Sequence, residues 1–535
     1  MNRPALRMGV AVRKAGVPSW LTECIRDIET SRGATVVAVL AADNLPANVP
    51  AKGRAMERLN RWLFDLYLTL DRRRFAREAA FAELSPVATV FPNCETIRLD
   101  GSADGIQKKL RPLTLDVILD PLGLLPSSDF AHLARYGIWR LRFGNRNAAA
   151  LAATGFWEVA QNQPMTETYL TVSGLASAGE SILDTLSAPT HAHSVTRSQT
   201  YIYAHIPAML LDRLRAVAEN GESALQSRGA LGPAPARPYP SNLQMIGVLS
   251  RMAKRAFVNR CSSTFYQGRW ALAFQWQELP IQPSQLHYIT APEHRSWADP
   301  FVVYRGGSYY VFHEEFSADR PKGSIVLTTL DADGRPQGTI PILNQEYHLS
   351  YPFVFEWDGA YFMVPETASA RRVDLYRCVS FPSKWTFEKT LLSDVAAYDS
   401  TLAFIADRWW LFTSFRPPRP PGSIYELHLY HAVSPLGPWS PHPRNPVKRF
   451  NVISTRPAGS IFQENGIMYR PGQDCSRRYG YGVSINRILN ISPERYDEVV
   501  ETRILPDWDS DILGVHTLNK SGKMIMIDCL IRKLK

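Results

Sequence analysis

At 535 residues the chain is too long for one ordinary hydrophobic core, and its 45% hydrophobic and 11% aromatic content excludes a disordered chain; two or three folded domains are expected. The net charge of +10, from 60 basic and 50 acidic side chains, comes with no nucleic-acid module, so no nucleic acid is expected as a partner. No run of 18 apolar residues occurs, so no membrane-spanning helix is indicated, and the basic stretches MAKRAFVNR and RRRFARE suit a peripheral contact with anionic lipid headgroups or a nucleotide-linked donor. Six scattered cysteines without a CxxC pair read as reduced core thiols, and His191, His193 and His205 lack a ligand pattern, so neither a metal nor a cofactor is expected. The first residues, MNRPALRMGVAVRK, have no apolar signal stretch, and a cytoplasmic location is the corresponding expectation.

In chain order, MGVAV (8–12) predicts a buried strand, LTECIRDIETS a helix and ATVVAVLAA (34–42) a second buried strand, a β-α-β opening suited to a parallel α/β sheet. MERLNRWLFDLYLTLDRRRF (56–75) predicts a long amphipathic helix and LDVILDP (115–121) another strand. No GxGxxG follows the first strand, so a dinucleotide fingerprint is absent. GPAPARPYPS (232–241) reads as a proline-rich spacer, and MIGVLSRMAKRAFVNR as a basic amphipathic helix packed between domains. From 263 the texture is all β. The expected division is an α/β domain over 1–225, a linker with a connecting helix and strand over 226–285, and an all-β domain over 286–535.

That last stretch repeats itself. ADPFVVYRGGSYYVFHEE (298–315) returns without a gap as SYPFVFEWDGAYFMVPET (350–367), a shift of 52, and again as YDSTLAFIADRWWLFTSF (398–415). Weaker copies lie at 456–474 and 514–530. Each copy is an apolar strand, a tight turn and a ring-rich strand, and five such units predict a five-bladed β-propeller, which closes on itself and leaves no exposed sheet edge.

Equivalent positions of successive blades face one another across a propeller's channel. Asp299, Tyr351 and Asp399 occupy one such position, with Arg456 and His516 near it in the last two copies; Glu314, Glu315, Glu366, Gln473 and Asp474 close the second strands. Paired carboxylates are what glycosidic chemistry needs, one as base or nucleophile and another, held protonated, as acid. Trp297, beside Asp299, is the favoured candidate for stacking on a sugar.

The segments WADPF, HLSYPFVFE, VPET, PLGPWSPHPRNP, RPAG, YRPGQDCSRRYG and GVHT resemble the N-terminal domain of plant glucosamine inositolphosphorylceramide transferases, a relative of the five-bladed propellers of glycoside hydrolase family 43. In those hydrolases a blade-one Asp is the base, a blade-two Asp tunes its neighbours and a blade-three Glu is the acid. The resemblance carries over cleanly only to Asp299, since Tyr351 and Asp399 stand at the other two positions. The resemblance implies Asp299 as base or nucleophile; reading the remaining funnel residues, Glu366 or Glu314 is expected as acid, Asp399 as tuner, and Arg456 and His516 as holders of an anionic or hydroxyl-rich group. The N-terminal half, through its Rossmann-like opening and LDVILDPLGLLPSSDFAHLARYGIWRLRFGN, resembles folate-dependent formyltransferases, with Arg140 and Arg142 where that family has its catalytic Asn-x-His pair. The expected whole is a Rossmann-like α/β domain with a degenerate formyltransferase site, followed by the propeller. It would make or remodel a glycosidic linkage in envelope glycoconjugate assembly, using a sugar nucleotide, sugar phosphate or lipid-linked glycan. A non-catalytic sugar-binding scaffold and a sugar N-formyltransferase are the alternatives.

Overall fold

The computed structural model describes residues 5–535 except 32, 43–58, 78–80, 100–101, 145–153, 175–178, 230–238, 277–278, 318 and 418–423. The chain divides into two compact units, Met1–Phe257 and Val258–Lys535.

The first unit is built on a seven-stranded mixed sheet. Its strands are β1 (Leu6–Arg13), β2 (Ala34–Ala42), β3 (Glu95–Arg98), β4 (Val117–Leu119), β5 (Ile138–Phe143), β6 (Met165–Ser173) and β7 (Ser181–Pro189), in spatial order β3-β2-β1-β4-β5-β6-β7. The first five pair in parallel and the last two add antiparallel. The near-continuous apolar runs of β1 and β2 bury almost every side chain, as strands covered on both faces must. Helix α1 (Ser19–Thr30) joins β1 to β2, as the β-α-β opening predicts. Helix α2 (Trp62–Arg74) lies within the predicted 56–75 helix, whose first three residues fall outside the described set, as does 232–238 of the proline-rich spacer. The basic helix forms as α3 (Asn242–Phe265), and its Met245, Val248 and Met252 pack with Phe64 and Leu68 of α2.

The second unit is a five-bladed β-propeller. Blade 1 comprises Arg295–Arg305, Ser308–Ser317, Arg320–Leu330 and Pro336–Leu343. Blade 2 comprises Ser350–Trp357, Ala360–Glu366, Arg372–Ser380 and Lys384–Ser393. Blade 3 comprises Ala397–Ile405, Arg408–Phe415, Glu426–Ala432 and Ser440–Pro441. In blade 4 a broken first strand (Arg456–Pro457, then Phe462–Glu464) pairs with Ile467–Asp474, followed by Gly482–Ile491 and Tyr496–Ile504. The repeated Gly-Gly, Asp-Gly, Ala-Asp and Asn-Gly pairs at 306–307, 358–359, 406–407 and 465–466 all have positive φ at both residues, the hairpin turn whose twist matches the strands it joins.

Blade 5 draws on both ends of the unit. Ile512–Gly514 and Leu518–Ser521 pair with Met524–Leu534, which pairs along ten residues with Tyr266–Gln275, and that strand with His287–Ile289. The all-β unit therefore reaches back into the stretch 226–285 expected to connect the domains. Blade 5 meets blade 1 through Asn519 Nδ2, which donates to the Pro300 carbonyl at 2.7 Å.

Starting the propeller at Leu286 would leave the Met524–Leu534 edge unpaired. A 258–535 fragment should unfold in one cooperative transition, whereas 286–535 should melt roughly 10 °C or more lower, or aggregate, in a thermal scan.

Candidate active site

Three inner strands share one backbone device. Asp299, Tyr351 and Asp399 have φ of 52°, 45° and 53°, and at each the first strand sets two residues against one of its neighbour. Left-handed backbone at a non-glycine residue costs about 1–3 kcal/mol, so three instances at one blade position mark a conformation the fold enforces. A bulge of this kind re-aims its side chain, and here the equivalent side chains turn toward a common centre.

Each bulge is held by the blade before it. Asp528 Oδ2 of blade 5 accepts from Asp299 N at 2.9 Å, Asp299 Oδ2 from Tyr351 N at 3.2 Å, and Glu366 Oε2 from Asp399 N at 3.3 Å. Asp399 then takes the guanidinium of Arg456 on blade 4, with Nη2 at 3.2 Å from Oδ1 and Nε bonded to Oδ2, while Gln473 Nε2 donates to Oδ2 at 2.9 Å. The hydroxyl of Tyr351, between two acidic bulges, accepts from Gly459 N at 2.6 Å and lies 2.8 Å from Thr401 Oγ1.

Two buried charge clusters result. His516 lies between carboxylates, Nε2 at 3.0 Å from Asp299 Oδ1 and Nδ1 at 2.7 Å from Asp528 Oδ2. Burial works against its charge, but Asp528 and Asp299 together hold the imidazolium well above the usual histidine range. Asp528, 0% exposed, also accepts from the His516 and Thr517 amides and titrates below the ordinary carboxylate range. Burial pushes Asp299 up against the pull of His516. The three side chains lie close enough to hold a metal ion, and each imidazole nitrogen faces a different carboxylate, the charge pattern of an imidazolium between two acids. In the second cluster Arg456 Nη2 also reaches Glu366 Oε2 at 3.3 Å; burial, then the charge of Asp399, raises Glu366 well above its ordinary range.

Glu314 differs from these fixed acids. Its carboxyl keeps 14% exposure and lies 3.5 Å from Nε2 of the part-exposed His348, and burial with the adjacent Asp299 charge pushes it up to about 8. Gly323 N donates to His348 Nδ1 at 2.8 Å, which leaves the ring's proton on Nε2, facing Glu314. A Cβ at Gly323 would meet Glu314 Oε1 at 2.3 Å and the Leu349 carbonyl at 2.5 Å, so the blade allows no larger residue there. A carboxyl still protonated at neutral pH, beside an acid in a buried ion cluster, is equipped to donate a proton.

The structure thus gathers Asp299, Glu314, Tyr351, Glu366, Asp399, Arg456, Gln473 and His516 at one centre. Trp297, expected to stack on a sugar, is instead buried, packs on His313 and donates its indole N–H to Glu315 Oε2 at 3.0 Å. Glu315, on the opposite strand face from Glu314, also pairs with Arg295 at 3.0 Å. Asp474 is turned aside to Arg503 and the Ser476 amide. In the first unit Arg140 pairs with Asp120 and Glu180, each at 3.1 Å, and Arg142 with Glu180, so both expected formyltransferase positions belong to an ion network. Sequence reading missed Asp528 and His348, together with Tyr398, Tyr425 and Tyr479, whose rings surround Arg456 at 4.9–5.2 Å.

The class defined by this fold and site is a five-bladed propeller with a buried, acid-rich funnel. Its sequence places the region more closely: residues 289–507 match the N-terminal domain family of glucosamine inositolphosphorylceramide transferase 1, and the C-terminal region carries that domain. The transferase of that name from Oryza sativa subsp. japonica is 37% identical over 259 residues, 44% of this chain and 35% of its own. The Arabidopsis thaliana protein is 36% identical over 208 residues, 38% of this chain and 26% of its own. The chain thus spans about a third or less of these curated relatives. Among solved structures, a family 117 glycoside hydrolase from Zobellia galactanivorans is similar over 49% of this chain and 90% of its own, at 13% identity and a TM-score of 0.33. An exo-1,5-alpha-L-arabinanase from a bovine ruminal metagenomic library covers 41% and 86%, at 14% and 0.30.

Because folding raises Glu314 from 4.5 to about 8, its protonated form is the one the native state favours. The associated stability is complete below the unfolded value and is lost as pH rises through about 8. Glu314→Gln should therefore raise the melting temperature by an amount that grows between pH 5 and 8 and then levels; a pH-independent difference would show that Glu314 is not so perturbed.

Proposed function

We propose that the propeller funnel makes or remodels a glycosidic linkage in the assembly of an envelope glycoconjugate, acting on a sugar nucleotide, sugar phosphate or lipid-linked glycan. The observation that carries this reading is the convergence of the mostly buried Glu314 carboxyl on Asp299, buried against His516, at adjacent strand positions of blade 1. Glu314 donates its proton to the departing glycosidic oxygen, and Asp299, steadied by His516, serves as base or nucleophile on the other side of the sugar. Asp399 and Arg456 fix the opposite wall. Tyr479, 49% exposed and packed at 5.5 Å from the His516 ring, supplies the stacking face first sought in Trp297.

A second reading, a sugar-binding scaffold without turnover, draws support from the caps themselves, since Asp299, Glu366 and Asp399 all have structural partners. Formyl transfer gains no such support, because Arg140 and Arg142 are tied to Asp120 and Glu180. A peripheral contact with anionic lipid belongs to the main proposal. Its support is the exposed Trp62, Leu66 and Leu70 on α2, beside exposed Arg73 and Arg74, and the exposed Leu243 and Ile246 on α3, followed by exposed Arg251 and Lys254.

Asp299→Asn keeps an oxygen for the Tyr351 amide. With the full chain and a panel of sugar nucleotides and sugar phosphates, it should retain binding while turnover falls by about 10³-fold or more. Equal turnover in wild type and mutant would remove Asp299 from the chemistry, and binding without turnover in both would favour the scaffold. The wild-type rate should fall as pH rises through about 8, and Glu314→Gln should abolish that limb along with most of the activity.

A further inference from the structure

Glu314, His348, Asp299 and His516 come from blades 1, 2 and 5, whereas the guanidinium groups of Arg416 and Arg456 come from blades 3 and 4, that of Arg456 held by Asp399 and Glu366. Buried Arg456 and exposed Arg416 stack on the same two rings: Arg456 Cζ lies 5.2 Å and 4.9 Å from the Tyr398 and Tyr425 centroids, and Arg416 Cζ 5.9 Å and 4.9 Å. Both donate to one atom, the Tyr425 hydroxyl oxygen, Arg456 through Nη1 at 3.1 Å and Arg416 through Nη2.

A phenol oxygen has two lone pairs and one proton. Two guanidinium donors occupy the lone pairs, so the Tyr425 O–H must point elsewhere, and no acceptor for it exists among the described residues. Arg416 has no carboxylate within ion-pair distance and no hydrogen-bond acceptor besides Tyr425 among the described residues. Arg456, in contrast, is committed to Asp399 and Glu366. Two like charges at one hydroxyl, with one of them uncompensated, form an arrangement that an incoming anion relaxes. Tyr479 is the third ring over Arg456, at 4.9 Å.

We infer that Arg416 and the Tyr425 hydroxyl, backed by Arg456, form a subsite for the phosphate of a phosphate ester bound next to the glycosidic centre. This deepens the reading of the funnel as a glycosidic site and rests on it. A phosphate group offers several acceptor oxygens to a guanidinium fork and a phenol donor together. The phosphate belongs to a nucleotide-diphosphate donor or to a phosphorylated headgroup, and the same wall fits either.

The test is calorimetric titration of the full chain with UDP, myo-inositol 1-phosphate, neutral myo-inositol and glucuronate. At least one phosphate ester should bind saturably and more tightly than the neutral polyol. Arg416→Gln should weaken it about tenfold, Tyr425→Phe by several-fold, and Arg416→Lys less than Arg416→Gln, with the melting temperatures of the two Arg416 variants unchanged because Arg416 is exposed. Preference for UDP or for the inositol phosphate assigns the source of the phosphate. No saturable phosphate binding by the wild type, phosphate binding indifferent to Arg416→Gln and Tyr425→Phe, or tighter binding of glucuronate would each overturn the subsite. Arg416-dependent phosphate binding without turnover of any glycosyl donor would leave the subsite standing and remove the glycosidic reading instead.

Discussion

The carboxylate that caps a neighbour's amide is the interaction on which the rest of this propeller depends. Asp528 holds the bulge of blade 1, Asp299 that of blade 2 and Glu366 that of blade 3, and Asp399 then passes the connection to Arg456. Each left-handed bulge exposes a backbone N–H that would be orphaned in a dry centre, at a cost of about 1–3 kcal/mol. The previous blade's acid removes that cost and fixes the angle between blades. Acids are thereby forced into the middle of the fold, and their charges must be answered there: His516 and Arg456 are the two cations that do so.

This arrangement explains why one acid differs from its neighbours. Asp299, Glu366, Asp399 and Asp528 all have amide or cationic partners. Glu314 has the burial and the adjacent charge of Asp299, with no arginine or lysine in ion-pair reach among the described residues, and these push its carboxyl up to about 8. A ring that needs acids for its architecture has in this way one carboxyl, Glu314, that caps no neighbour's amide and lies next to a buried pair of opposite charge. The glycosidic reading uses that surplus, and the caps around it give the pre-organisation that proton transfer requires.

Much of this was legible in the sequence because the repeat is geometric. The shift of 52 that brings Asp299 onto Tyr351 is the distance between two bulges, and the next shift brings Asp399 to the third, so residues aligned by the repeat share one backbone conformation. Asp528 escaped because in MIMIDCL it reads as a lone polar residue in a buried strand, and nothing local shows that His516, twelve residues back, folds against it. Tyr425 and Tyr479 escaped because they lie in connections rather than in the repeated hairpins. Trp297 was misjudged because a tryptophan beside an acid has the same signature whether its ring faces a channel or the next strand; the indole N–H on Glu315 decides it. The strand Tyr266–Gln275 was placed outside the propeller because the blade it completes lies at the other end of the chain.

The most direct test of the account is a crystal structure of the full chain carrying Asp299→Asn, soaked with a sugar nucleotide or sugar phosphate that the wild type turns over. The account predicts a sugar seated in the funnel, its glycosidic oxygen within hydrogen-bond reach of Glu314, one face against Tyr479, and its phosphate on Arg416 and Tyr425. A ligand bound elsewhere, or a sugar in the funnel with no atom near Glu314, would contradict it.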